Sequence, residues 1–291
     1  MTEARWRARA REYALLMRID HPIGSLLLLW PALWALWLSA NGRPNPHIVV
    51  VFVLGVFVMR SAGCVINDYA DRDFDPHVER TRDRPLAARR VQPREALALF
   101  GALMLVALAL VLTLNRLTLL LALAGALLAT LYPFMKRFTY LPQVHLGLAF
   151  SWSIPMAYAA HTGGVPPVAW LLLIGNLIWT VAYDTIYAMV DRDDDLRVGV
   201  KSTAILFGEL DRAFIAGMQV AVLVVLGLAA QQLALGRAFD AALLGVAALF
   251  AWQQWLIRDR DRDACFRAFL NNNWVGAAVF AGIVAHYALS G

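Results

Sequence analysis

The feature that most limits what this chain can fold into is its division into almost uncharged stretches of membrane-spanning length. Runs near 20 residues with no more than one charged residue each are long enough to cross a hydrocarbon core as helices. Such runs fall at about residues 23–42, 47–66, 96–115, 117–135, 141–160, 166–184, 213–234, 239–257 and 272–289. The segment 138–183 holds no Asp, Glu, Lys or Arg and is too long for one helix, and Gly163, Gly164, Pro166 and Pro167 supply its turn. Hydrophobic residues make up 60% of the 291 and charged residues only 16%, outside the balance of soluble domains. The expectation is an all-α integral membrane protein of about nine transmembrane helices bundled around a central cavity, one domain over residues 1–291.

The basic residues set its direction. Arg5, Arg7, Arg9, Arg11 and Arg18 precede the first run, and the alternate connections carry Arg72 to Arg94, Lys136 and Arg137, Arg192 to Arg212, and Arg258 to Arg267. The opposite connections hold only Arg43, Arg116 and Arg237. This predicts a cytoplasmic N-terminus and an external C-terminus. The net charge of +5 is thereby a matter of topology rather than of nucleic-acid binding. The basic start is not expected to be a secretory signal, since its apolar run contains Pro22, Pro31 and three Trp and is followed by further spans. Cys64 and Cys265 form neither a disulfide framework nor a metal spacing.

Two acidic clusters close the second and sixth apolar runs: residues 67–75 (NDYADRDFD) and 184–195 (DTIYAMVDRDDD). Residues four apart share a helix face, so Asp71 with Asp75 and Asp191 with Asp195 each present a carboxylate pair, and Asn67 and Asp184 extend the stripes. Two like charges about 4 Å apart repel by roughly 4 kcal/mol at an effective dielectric near 20, so such pairs need a counter-charge. A hard divalent cation supplies it. Mg²⁺ commonly couples one or two carboxylates to substrate phosphates, which makes a metal-bridged diphosphate the natural ligand. The four-helix offset between clusters suggests two similar four-helix halves plus a ninth helix, with the stripes facing each other across the cavity. A single Asp-rich helix end could be no more than a solvated boundary; two with the same step on one side argue for a wet cavity.

Arg60 lies seven residues before Asn67, on the same face and about 10 Å deeper at 1.5 Å per residue. It either snorkels or pairs with a neighbouring helix, or it stands at the cavity floor to hold an anionic co-substrate. Lys136 and Arg137 either follow the positive-inside rule or grip phosphate oxygens, and Arg72, set among the acidic residues, is a further phosphate candidate. The alternation from Arg258 to Asp263 reads as a self-neutralising solvated loop. No histidine forms a zinc pattern. Trp37, Trp170 and Tyr287 fit interface anchors, while Tyr132, Trp179 and Tyr187 are aromatics able to face a carbocation if they point inward.

The two clusters, with the segment from Tyr132-Pro133 to Pro142-Gln143, resemble the UbiA superfamily of intramembrane prenyltransferases along the whole chain, and in form its bacterial hydroxybenzoate-accepting branch. The resemblance implies transfer of a polyprenyl group from polyprenyl diphosphate to the carbon ortho to the hydroxyl of 4-hydroxybenzoate, with Mg²⁺, in ubiquinone biosynthesis at the bacterial inner membrane. It assigns Asn67, Asp71, Asp75, Asp184, Asp191 and Asp195 to metal and diphosphate binding, with Asp68 and Asp194 beside them. Asp191 is the candidate to hydrogen-bond or deprotonate the phenol. Arg60 is the candidate for the benzoate carboxylate, with Arg137 second, and Tyr187 lies near the aromatic substrate. No obligate protein partner is implied. A different acceptor (a naphthoate, haem, chlorophyllide or glycerol phosphate) keeps the same chemistry. A transporter would carry acidic residues across the full membrane depth, and here they stop at one side. A phosphatidyltransferase would hold both Asp pairs close together in one segment.

Overall fold

The computed structural model describes residues 3–77, 79, 81–135 and 137–290, and every regular element among them is helical. An amino-terminal helix α1 (Glu3–Leu16) is followed by the apolar α2 (Ile23–Ser39) and by α3 (Pro46–Asp71), α4 (Pro93–Val111) and α5 (Arg116–Met135). Two ten-residue helices, α6 (Pro142–Ser151) and α7 (Ser153–Thr162), lead into the 32-residue α8 (Pro167–Val198). A short α9 (Thr203–Phe207) precedes α10 (Asp211–Gln232), α11 (Arg237–Leu256) and α12 (Arg262–Ser290).

Seven helical stretches among the described residues are long and apolar enough to cross a membrane: α3, α4, α5, α8, the α9–α10 run, α11 and α12. The two other expected spans differ in form. At 17 residues, α2 is shorter than the rest. The span expected over 141–160 is broken at Trp152, between α6 and α7. Pro155 causes the break, since it lacks the N–H that would bond the carbonyl four residues back, at Ser151. Side chains occupy the gap: Ser151 Oγ donates to the Gly147 carbonyl at 2.6 Å and accepts from Asn176 Nδ2 of α8 at 2.8 Å.

Helix ends follow local chemistry. Asn45 caps α3, its side chain accepting the His47 N–H at 2.9 Å, with Pro46 in the first turn. Gln92 and Glu95 form a capping box at the start of α4. At the other end of α8, Gly199 adopts φ 78° and its N–H bonds the Asp195 carbonyl, a left-handed cap that a side chain would strain. At 1.5 Å per residue α8 is about 48 Å long and α3 about 39 Å, both longer than a hydrocarbon core of about 30 Å. Their excess turns carry the acidic clusters.

The core lies where α2, α8 and α12 meet. The Trp34 and Trp179 rings stack at 5.4 Å, Trp34 Nε1 donates to the Gly276 carbonyl at 3.0 Å, and Trp179 Nε1 donates to Asn272 Oδ1 at 2.9 Å. Every buried indole N–H here thus has an acceptor. Trp179, a candidate cavity aromatic by sequence, is instead 1% exposed inside this core, because its ring fills the space between Trp34 and Tyr183. By contrast α4 and α5 bury only Ala96 and Val111, and Thr118 and Pro133. They are the outer wall of the bundle, and their exposed leucines suit lipid.

Candidate active site

A cavity of about 870 Å³ runs between α2, α3, α4, α5, α6, α7, α8 and α12, and both acidic clusters open into it. Asn67, Asp68, Asp71 and Asp75 line it from one side, and Asp184, Asp191 and Asp195 from the other. The second stripe is wholly helical, as its spacing predicts, since α8 runs unbroken past Asp195. The first is not. Helix α3 stops at Asp71, and Asp75 sits in a 3-10 turn, Asp75–His77. Pro76 keeps the helix from continuing through the cluster, because it has no N–H to bond the carbonyl four residues back, at Arg72.

The first cluster is held by arginines from the loop before α2 and the loop after α3, a feature sequence reading missed. Asp68, fully buried, accepts from Arg18 Nη2 at 2.9 Å and lies 3.1 Å from Arg84 Nη1. The same Arg84 nitrogen donates to Asp75 Oδ2 at 2.9 Å, and Thr81 Oγ1 donates to the Asp75 carbonyl at 3.0 Å. The loop after α3 therefore folds back so that one guanidinium neutralises two carboxylates. Burial and the adjacent Arg84 charge lower the Arg18 pKa from its ordinary value, and the Asp68 carboxylate opposes this. The second oxygen of Asp68 is buried without a hydrogen-bond partner. Lys201, also unforeseen, lines the cavity beyond α8 with its ammonium 5.2 Å from the Tyr140 ring.

Other sequence candidates stand off the cavity wall. Arg72 donates to the Tyr69 carbonyl at 2.7 Å, covers the Tyr69 ring at 4.7 Å and lies 3.6 Å from Asp73. Arg137 donates to the Ala70 carbonyl and lies over the Phe74 and Phe134 rings. It ties the end of α5 to the end of α3, where the helix exposes its last carbonyls. Asp194 turns outward to Arg262 at 3.4 Å and Arg197 at 3.7 Å. Lys136 lies outside the described residues.

The Arg258 to Asp263 segment corrects an expectation. Rather than a loop that only neutralises itself, it sends Arg260 back to fork onto Asp211 at 2.9 to 3.1 Å, a bond that raises the Arg260 pKa. It also sends Arg262 to within 3.7 Å of Asp191. Tertiary folding gives these arginines better partners than their sequence neighbours.

Deeper in the cavity is Arg60. Among the described residues Arg60 makes no ion pair or hydrogen bond, and its Nε is buried without a partner. Its guanidinium packs on the first turn of α2, where a Cβ built on Gly24 would lie 2.4 Å from Nη2. Tyr187 faces the cavity beside Phe266 and Phe269, its ring 4.5 Å from that of Phe269. Tyr132 of α5 also lines the cavity, whose remaining wall toward α4 and α5 is aliphatic.

No three Asp, Glu, His or Cys side chains among the described residues close a metal site by themselves. The oxygen-only donor set, including the orphaned Asp68 Oδ2, nonetheless fits Mg²⁺ held by one or two carboxylates and completed by substrate phosphate.

Fold and site together define a multi-pass membrane protein whose two acidic helix ends converge on one cavity. The chain belongs to the UbiA prenyltransferase family, whose profile matches residues 28–282. It is 60% identical over 279 residues to the 4-hydroxybenzoate octaprenyltransferase of Aeromonas hydrophila, covering 96% of this chain and 97% of that one. Over 291 residues it is 58% identical to the protein of the same name from Alkalilimnicola ehrlichii, covering 100% and 99%. Among solved structures it superposes on a UbiA homolog from Aeropyrum pernix with a TM-score of 0.79 at 27% identity, covering 92% of this chain and 98% of that one. It shares its fold with a UbiA homolog from Archaeoglobus fulgidus bound to GPP and Mg²⁺, at a TM-score of 0.72 and 18% identity, covering 94% and 99%.

Proposed function

We propose that this protein transfers a polyprenyl group from polyprenyl diphosphate to the ring carbon ortho to the hydroxyl of 4-hydroxybenzoate, releasing diphosphate, as a step of ubiquinone biosynthesis. The observation that carries this reading is the order of groups along one cavity: facing carboxylates at one end, an unpaired guanidinium about two helical turns deeper, and aliphatic walls beside them. The full-length identity to relatives of that name supports it.

Asn67, Asp71 and Asp75 from α3 and its following turn, with Asp184, Asp191 and Asp195 from α8, are the residues that would hold Mg²⁺. When bound, the metal supplies positive charge to the diphosphate as it departs. Arg18, Arg84 and Lys201 line the same region and add fixed positive charge there. Arg72 and Arg137 act at one remove, by fixing the end of α3, and Lys136 remains a candidate phosphate contact. As the bond from the first prenyl carbon to oxygen breaks, its electron pair leaves with diphosphate and an allylic cation remains. The faces of Tyr187 and its Phe269 neighbour stabilise that cation, and the aliphatic walls exclude water that would quench it. Arg60 holds the carboxylate of the aromatic acid. Asp191 hydrogen-bonds or deprotonates the phenol, which enriches the ring for attack. A carbon–carbon bond forms to the ortho carbon, and loss of that carbon's proton restores aromaticity.

The chain acts as one domain with nine crossings, α2 and the broken α6–α7 pair completing the count. The N-terminus is cytoplasmic, the C-terminus is external, and the site faces the cytoplasmic side of the bacterial inner membrane. Membranes containing the protein, given labelled 4-hydroxybenzoate and a long-chain prenyl diphosphate, should form a labelled lipophilic product with Mg²⁺ and none with EDTA. Release of diphosphate without labelled product would overturn the acceptor. Absence of both in folded protein would overturn the reaction.

A further inference from the structure

The cavity glycines are not equivalent. A Cβ added at Gly55, Gly63 or Gly101 would enter open space, and one at Gly125 would meet the Trp152 ring. At Gly24 alone among them it would strike a charged group, lying 2.4 Å from Arg60 Nη2, 2.5 Å from Nε and 2.7 Å from Cζ. These three atoms form one side of the guanidinium, so that side lies on the bare backbone of α2.

Nothing else accounts for glycine there. Gly24 is the second residue of α2 and has no left-handed φ. A helical glycine is less favourable than alanine by up to about 1 kcal/mol. Arg60, meanwhile, has no hydrogen bond or ion pair among the described residues to fix its fork. Its location is set by packing, and the surface it packs on is Gly24.

We propose that Gly24 is a positioning residue for the aromatic substrate: by lacking a side chain it lets the Arg60 guanidinium lie against α2, at the place in the cavity where it meets the carboxylate. This rests on the reading of Arg60 as the carboxylate-binding group. A methyl at position 24 moves the fork by about 1 Å, from 2.4 Å to an ordinary contact near 3.5 Å. The yielding group is the end of a flexible side chain, so the protein folds and the charge is misplaced. Displacements near 1 Å in a binding constellation cost up to about 100-fold.

The test is steady-state kinetics of the full-length enzyme in membranes for Gly24→Ala, Arg60→Ala, Arg60→Lys and each double variant, with expression and unfolding midpoint recorded. Gly24→Ala should raise KM for 4-hydroxybenzoate about tenfold or more and leave KM for the prenyl diphosphate within twofold. In the Arg60→Ala background it should add less than twofold. With Arg60→Lys, whose slim ammonium has no fork to displace, the penalty of Gly24→Ala should shrink. An equal rise in both KM values, or an unchanged penalty in the Arg60→Ala background, would show that Gly24 acts through general packing and would overturn the proposal. So would wild-type kinetics in Gly24→Ala. If Arg60→Ala itself leaves KM for the aromatic acid unchanged, the assignment of Arg60 fails first, and with it the proposal.

Discussion

Arg84→Ala should be among the most destabilising single changes outside the hydrophobic core. The side chain is only 13% exposed and one nitrogen lies 3.1 Å from Asp68 and 2.9 Å from Asp75, carboxylates 1% and 8% exposed. Removing one partner of a buried ion pair costs about 3–5 kcal/mol, mostly because the remaining charge is stranded. Arg18 stays on Asp68 at 2.9 Å, so the lower end applies. We expect about 3 kcal/mol, roughly a hundredfold in the ratio of folded to unfolded protein. The assay is the unfolding midpoint of purified protein in detergent, measured in a cycle with Asp75→Asn. If stranded charge is the cause, Arg84→Ala should cost at least about 1 kcal/mol less when Asp75 is already neutral, since residues in contact couple by about 0.5–3 kcal/mol. Additive effects would refute the reasoning, for they would mean that no stranded charge on Asp75 contributes to the loss.

Further outcomes follow from the same geometry. Asp71→Ala and Asp191→Ala should each abolish product formation at any Mg²⁺ concentration, measured in the labelled-acceptor assay, because each removes a carboxylate from one of the two facing stripes. Arg72→Ala should leave kcat/KM within a few-fold of wild type, since its guanidinium lies on Tyr69 rather than in the cavity wall. A loss of a hundredfold would place it on the substrate. Gln253→Ala should lower the unfolding midpoint without altering either KM. Its side chain accepts from Gln219 at 2.8 Å and donates to Asn271 at 3.0 Å, and interhelical bonds in membranes average about 0.6 kcal/mol each.

Much of the architecture was legible because, within lipid, backbone hydrogen bonding leaves a long apolar run little choice but helix. The apolar runs found the helices, and the proline at 155 carried the signal for the break at Trp152 that a hydrophobicity window averages away. Residue spacing placed Asp184, Asp191 and Asp195 on one face of α8, and set Arg60 deeper than Asn67, since both facts depend only on the rise and pitch of one helix.

What the sequence could not decide was which partner each face meets. Arg18 and Arg84 reach Asp68 from loops on either side of it, Arg262 reaches Asp191 from another helix, and Arg72 turns away from a cluster that it adjoins in sequence. Helical period fixes a side chain's direction relative to its own axis. It says nothing about the neighbour in that direction or the path of an irregular loop. By itself, then, the sequence determined a helical membrane protein with two acidic helix ends and one arginine set deep between apolar turns. The tertiary structure alone decided which carboxylates are already neutralised in the cavity that those ends share, and that the deep arginine rests on a glycine brought to it by another helix, because each is a contact made through a loop's path or between separate helices.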